Sequence, residues 1–161
     1  MPIIEVQGLK LRKAGTYRLL GIDVGTKTLG LALSDLSLTV ATPHKTIRRT
    51  KFMADCQHLS ALIDEHDVGG LLLGLPVSMD GTEGPKCQSV RQFAANLLGV
   101  MDMPLAFWDE RLSTAAIERM LITEVDMSRK RRKEVVDTAA AAYILQGALD
   151  ALQNIDAGRP G

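Results

Sequence analysis

The chain has 161 residues, 46% hydrophobic and 24% charged, which is enough apolar material for the core of one ordinary domain and too much for intrinsic disorder. Aromatic residues make up only 4%, which argues against a stacking platform for single-stranded nucleic acid. Nineteen basic against nineteen acidic residues give no net charge, which argues against coating nucleic acid by bulk electrostatics. The balance is uneven, because Arg129, Lys130, Arg131, Arg132 and Lys133 stand together and the remainder carries fourteen basic against nineteen acidic residues.

In chain order, residues 1–16 read as an extension ahead of a domain spanning 17–152. Tyr17–Val24 is a short apolar run, and Leu29–Leu33 follows after Gly25-Thr26-Lys27-Thr28, so the two predict a first hairpin. A third strand over Val40–Ile47 contains Pro43, which suits an edge position. Phe52, Leu59, Leu62 and Ile63 recur at helical spacing within 51–66. Val68–Leu73 is a continuous apolar run between glycines, the pattern of a strand buried on both faces. A glycine-rich loop, Gly74–Gly84, is too long for a simple connector and reads as a lid or substrate loop. A second helix carries Val90, Phe93, Ala94, Leu97 and Leu98 on one face. Pro104–Trp108 is a fifth strand, and Thr114–Thr123 a third helix capped by Ser113. The last helix runs from Ser128 as N-cap to about Leu152, leaving 153–161 as a flexible tail. This order of elements predicts an α/β fold, a mixed sheet with helices on its faces.

Cys56 and Cys87 are too few for a disulfide framework or a paired-cysteine metal site. His44, His58 and His66 have no zinc-ligand spacing, and no Walker A loop is present. No apolar run reaches membrane-spanning length and the first residues lack the core of a signal peptide, so a cytoplasmic protein is expected.

Three places carry chemistry. Asp23 ends a buried strand just before Gly25; it either closes an Asx-type turn or faces a ligand that the nearby glycines let approach. Asp109 and Glu110 end the fifth strand, where open α/β sheets bind ligands. Neighbouring residues of a strand face opposite ways, so at most one of the two serves a shared site, unless both belong to an acidic loop paired with Arg111. Asp137 precedes Thr138 and Ala139–Ala142 in the last helix and shares a face with Lys130 and Lys133; it either pairs with them or meets a cation. Three carboxylates converging at one sheet edge make a hard-oxygen site for Mg2+ or Mn2+, suited to phosphodiester displacement, and the adjacent basic run offers phosphate contacts.

Taken together, Gly21-Ile22-Asp23-Val24-Gly25-Thr26-Lys27-Thr28-Leu29-Gly30-Leu31-Ala32, then Gly74-Leu75-Pro76 through Asp80-Gly81-Thr82-Glu83-Gly84, Asp109-Glu110-Arg111-Leu112-Ser113-Thr114 and Asp137-Thr138-Ala139-Ala140-Ala141-Ala142-Tyr143-Ile144-Leu145-Gln146 resemble the YqgF/RuvX family of RNase H-like nucleases. The four motifs occur in family order across 17–152. The resemblance implies an RNase H-like fold with a five-stranded mixed sheet, and a nuclease linked to Holliday junction resolution and to 5′-end maturation of pre-16S rRNA. It implies Asp23, Glu110 and Asp137 as metal-binding catalytic acids, with Asp109 as alternate, and Mg2+ or Mn2+ as cofactor. Thr26, Lys27 and Arg111 would orient phosphate or the acids, and Lys130, Arg131 and Lys133 would meet the substrate backbone. The expected partner is nucleic acid, a structured RNA precursor before branched DNA, bound by a monomer or homodimer with no membrane involved. Where the family often has Lys-Arg, this chain has Lys27-Thr28. In the implied strand order the fifth strand lies two spacings from the first, roughly 9–10 Å, so Glu110 must reach inward across the end of the fourth. A non-catalytic RNA-binding assembly factor would use the same loop and basic run. An actin-like nucleotide-binding fold needs a second domain for which 161 residues leave no room.

Overall fold

The computed structural model describes residues 17–78, 80–110 and 129–157, with side chains in the last segment described for 137–153. The expected extension over 1–16, Arg111, Ser113, the helix over 114–123 and Ser128 lie outside these residues.

Within them, five strands form one sheet: β1 (Arg18–Val24), β2 (Thr28–Ser34), β3 (Ala41–Arg48), β4 (Val68–Leu75) and β5 (Leu105–Asp109). Three helices flank it: α1 (Phe52–Glu65), α2 (Pro85–Leu98) and α3 (Arg129–Ala157). The strand order is β3-β2-β1-β4-β5. β1–β2 and β2–β3 are antiparallel, as hairpins require, whereas β4 and β5 return parallel to β1 after the crossovers that contain α1 and α2.

Strand alternation divides the sheet into two faces. Leu20, Ile22, Leu29, Leu31, Leu71, Leu73 and Leu105 pack with Cys56 and Leu59 of α1 and Cys87, Val90, Phe93 and Leu97 of α2. Leu19, Ala32, Leu72 and Ala106 pack on the other face with Ala141, Ile144, Leu145, Ala148, Leu149 and Leu152 of α3. Each fully buried leucine contributes roughly 1.5–3 kcal/mol, so both helical layers are held by apolar burial. Both cysteines are buried, free core residues.

β3 is the edge strand foreseen from Pro43, whose neighbours Thr42 to Lys45 are exposed and whose ladder shifts register between Leu31 and Ala32. Two elements are longer than the sequence suggests. β4 runs through Gly74 and Leu75 because both still pair with β5, opposite Trp108 and Asp109. α3 continues past Leu152 to Ala157, since no breaker precedes Gly158 and the Gln153 amide donates to the Leu38 carbonyl at 3.1 Å. Gln146 adds two bonds to the same β2–β3 connection, accepting from Ala41 N at 2.8 Å and donating to the Thr39 carbonyl at 2.9 Å. The loop after β4 is tied to itself and to α2: Asp80 accepts from both the hydroxyl and backbone N–H of Thr82, and Glu83 forms a two-pronged pair with Arg91 at 2.6 and 2.8 Å.

Among the described residues no helix is long and apolar enough to cross a membrane.

Candidate active site

The site forms where β1, β4 and β5, all running the same way, end side by side. Asp23 is opposite Gly30 in the β1–β2 ladder, and its place in the alternation puts it on the α3 face with Gly21, Thr28 and Gly30. The turn after Asp23 is closed by a Gly25 N–H to Thr28 carbonyl bond of 2.9 Å. Arg49 anchors that turn: its Nη1 donates to the Gly25 carbonyl at 2.6 Å, and its guanidinium lies over the Phe93 ring of α2 at 5.2 Å. One arginine thus joins the β1–β2 turn to α2, the two walls of a cavity of about 520 Å³.

Glu110 follows β5, in step with Ala106 and Trp108, so it falls on the α3 face while Asp109 falls on the opposite one. Its path to Asp23 crosses Gly74. A β-carbon on Gly74 would collide with Glu110 Oε1 and stand 3.0 Å from its Cγ and 2.5 Å from Ile144 Cδ1. The reach of Glu110 across the end of β4 therefore needs a glycine there, not an acid.

The consequence is a hydrogen bond between the Asp23 and Glu110 side chains. Burial pushes the Asp23 carboxyl up to about 6, and the charge of Asp137 adds to this while the bond from Glu110 opposes it. Burial raises Glu110 to about 7, helped by the charge of Asp23 and their shared bond, and Lys86 pulls it back. Burial and the neighbouring negative charge thus hold both carboxyls above the ordinary carboxylate range.

Asp137 reaches the same face from α3. The helix backbone presses so closely on β2 that a β-carbon at Gly30 would stand 2.6 Å from the Asp137 carbonyl carbon and nearer still to its oxygen. Thr28 Oγ1 donates to Asp137 Oδ2 at 2.9 Å. The three acids singled out in the sequence are thus brought together on one face. Their chemistry is that of a hard-cation site: oxygen donors only, with two partly desolvated carboxylates whose mutual repulsion a divalent cation would relieve. As they stand, Asp23 and Glu110 face each other and Asp137 is turned to Thr28. Among the described residues no group of three such side chains forms a ready metal cage.

Of the other expected site residues, Thr26 lines the cavity, whereas Lys27 is exposed in the same turn outside the lining. Lys130, Arg131 and Lys133 lie on the first turns of α3, ahead of Asp137 in the chain. Sequence reading missed Thr28 as a partner of Asp137, although β2 alternation already placed it on the same face as Gly30. It also missed Lys86 and Ser89, which line the cavity from α2 and belong to no motif.

The RuvX family, described as Holliday junction resolvase, matches residues 17–151. The chain belongs to the RuvX family. Similar curated RuvX relatives come from Paramagnetospirillum magneticum, 63% identical over 93% of this chain and 96% of the relative, and Rhodospirillum rubrum, 58% identical over 94% of each. Both carry the name "Putative pre-16S rRNA nuclease". Among solved structures, T. thermophilus RuvC in complex with Holliday junction substrate is similar with a TM-score of 0.55 and 13% identity, over 85% of this chain and 96% of that one. Fowlpox virus resolvase in complex with substrate Holliday junction DNA gives a TM-score of 0.51 and 10% identity, over 84% and 98%. At these identities the RuvX chain shares their fold, the RNase H-like architecture expected from its motifs.

Proposed function

We propose that this RuvX chain is a divalent-metal-dependent nuclease that hydrolyses phosphodiester bonds in the 5′-end processing of pre-16S rRNA in the cytoplasm. The observation that carries this reading is the close contact of Asp23 with Glu110 across Gly74, with Asp137 adding its charge on the same face. The curated relatives' shared name supports the substrate. Mg2+ or Mn2+ bound by Asp23, Glu110 and Asp137 would supply Lewis acidity to the phosphoryl oxygens. Around that centre, Thr28 orients Asp137, and Thr26 stands at the rim of the cavity that admits the backbone. The basic run Arg129–Lys133 supplies phosphate contacts without base specificity.

Cleavage of branched DNA is a second reading, favoured by the fold shared with two resolvases in complex with Holliday junctions. It requires a symmetric dimer to cut two strands. Purified protein is incubated with labelled pre-16S 5′-leader RNA and with a synthetic four-way DNA junction, each with Mg2+, Mn2+ or chelator, beside Asp23→Asn. Leader cleavage abolished by chelator and by Asp23→Asn supports the proposal. Symmetric cleavage of the junction alone transfers the activity to DNA. Binding without cleavage in every condition leaves a non-catalytic assembly factor.

A further inference from the structure

The cavity spans more than the acids. Asp23 and Glu110 occupy its α3 side, and Lys86 and Ser89, one turn apart on α2, line the opposite wall. Among the described residues, Lys86 is the one cationic side chain of that lining. Both α2 residues are exposed and add nothing to the core, in contrast to Cys87 and Val90 beside them. Among the described residues no carboxylate forms an ion pair with Lys86, although its charge reaches Glu110. Among the described residues, an ammonium without an ion-pair partner thus shares the cavity with two carboxylates and acts on one of them, Glu110. A polyanion entering there is repelled by the acids and needs a positive group on the far wall to hold it.

We propose that Lys86, assisted by the Ser89 hydroxyl, binds a backbone phosphate of the nucleic-acid substrate on the α2 side of the cavity, next to the bond that is hydrolysed at the acidic centre. This rests on the nuclease reading above. It sets the direction of the bound strand, which crosses the ends of β1 and β4 from the α3 face to α2. A lysine suits the task, being a flexible point charge that follows a backbone without reading bases. Arg49 fixes the spacing by joining the Gly25 turn to α2.

The test uses the full chain carrying Asp23→Asn to stop cleavage, and follows binding of labelled leader RNA by fluorescence anisotropy across a salt series. Lys86→Gln is expected to weaken binding about tenfold and to lower the slope of log affinity against log salt by about 1. Lys86→Arg should retain both. Lys45→Gln, on the exposed edge strand, is the control for general charge. In the cleaving protein, the Lys86→Gln loss should fall on KM rather than on kcat. Wild-type affinity and slope in Lys86→Gln would overturn the proposal, as would an equal loss in Lys45→Gln. If the parent chain binds neither leader RNA nor junction, the nuclease reading itself fails and takes this contact with it.

Discussion

Gly30→Ala perturbs the site without touching an acid. The new methyl would stand 2.6 Å from the Asp137 carbonyl carbon and 3.2 Å from its Cα. Relaxed carbon contacts are about 3.5–4.0 Å, so α3 must retreat by about 1 Å, and both partners are backbone that cannot rotate away. The retreat loosens the packing of Ala141, Ile144, Leu145 and Ala148 on the sheet. Overpacking of this kind costs about 1–3 kcal/mol, read as a lower urea midpoint. The same shift stretches the 2.9 Å bond between Thr28 and Asp137. A displacement of about 1 Å in a reacting constellation costs roughly 10²-fold in rate. Gly84→Ser is the control, because a β-carbon at Gly84 meets nothing within 4 Å and serine suits the N-cap of α2 that Gly84 occupies; its midpoint should not fall below the wild-type value. A Gly30→Ala protein as stable as wild type and cleaving within about twofold of its rate would refute the reasoning.

Three further outcomes follow from the same geometry. Thr28→Val removes the hydroxyl that orients Asp137; a bond to a charged group is worth about 1.5–3 kcal/mol, so the single-turnover rate should fall at least about tenfold, with Thr28→Ser restoring it. Gly74→Ala drives Glu110 away from Asp23, and cleavage should drop although neither acid is changed. Asp23 at about 6 and Glu110 at about 7 lie above their ordinary 3.8 and 4.5, so between those limits the folded chain holds more protons than the unfolded one. The metal-free protein is therefore expected to lose stability as pH rises from about 4 to about 7, by urea denaturation, and Asp23→Asn should flatten that dependence. Apparent Mn2+ affinity should increase over the same interval, because the cation binds the ionised carboxylates and competes with their protonation.

The sequence already carried the strands and the acids. Two short apolar runs on either side of Gly25-Thr26-Lys27-Thr28 marked the first hairpin, Pro43 marked the edge, and the unbroken apolar run at Val68 marked the central strand, all of them local signals. Asp23, Glu110 and Asp137 were visible because carboxylates at strand ends and in an alanine-rich helix call for a reason. The choice between Asp109 and Glu110 was not legible, since it depends on where β5 ends and on which face its last residue takes. How Glu110 spans two strand spacings was hidden too: the answer is the missing side chain of Gly74 on a neighbouring strand. Thr28 marked a departure from the family's usual Lys-Arg, and its role emerges only when α3, more than a hundred residues later, brings Asp137 to it. Lys86 has no sequence signal, because a lone lysine in a first helical turn looks like any solvated surface residue.

The most direct measurement is single-turnover cleavage of the pre-16S 5′-leader in Mg2+ by wild type and by Asp23→Asn, Glu110→Gln and Asp137→Asn, with RNA binding followed in parallel. Each amide should abolish cleavage while leaving binding in place. Cleavage at the wild-type rate by any of the three would contradict a site built from these acids.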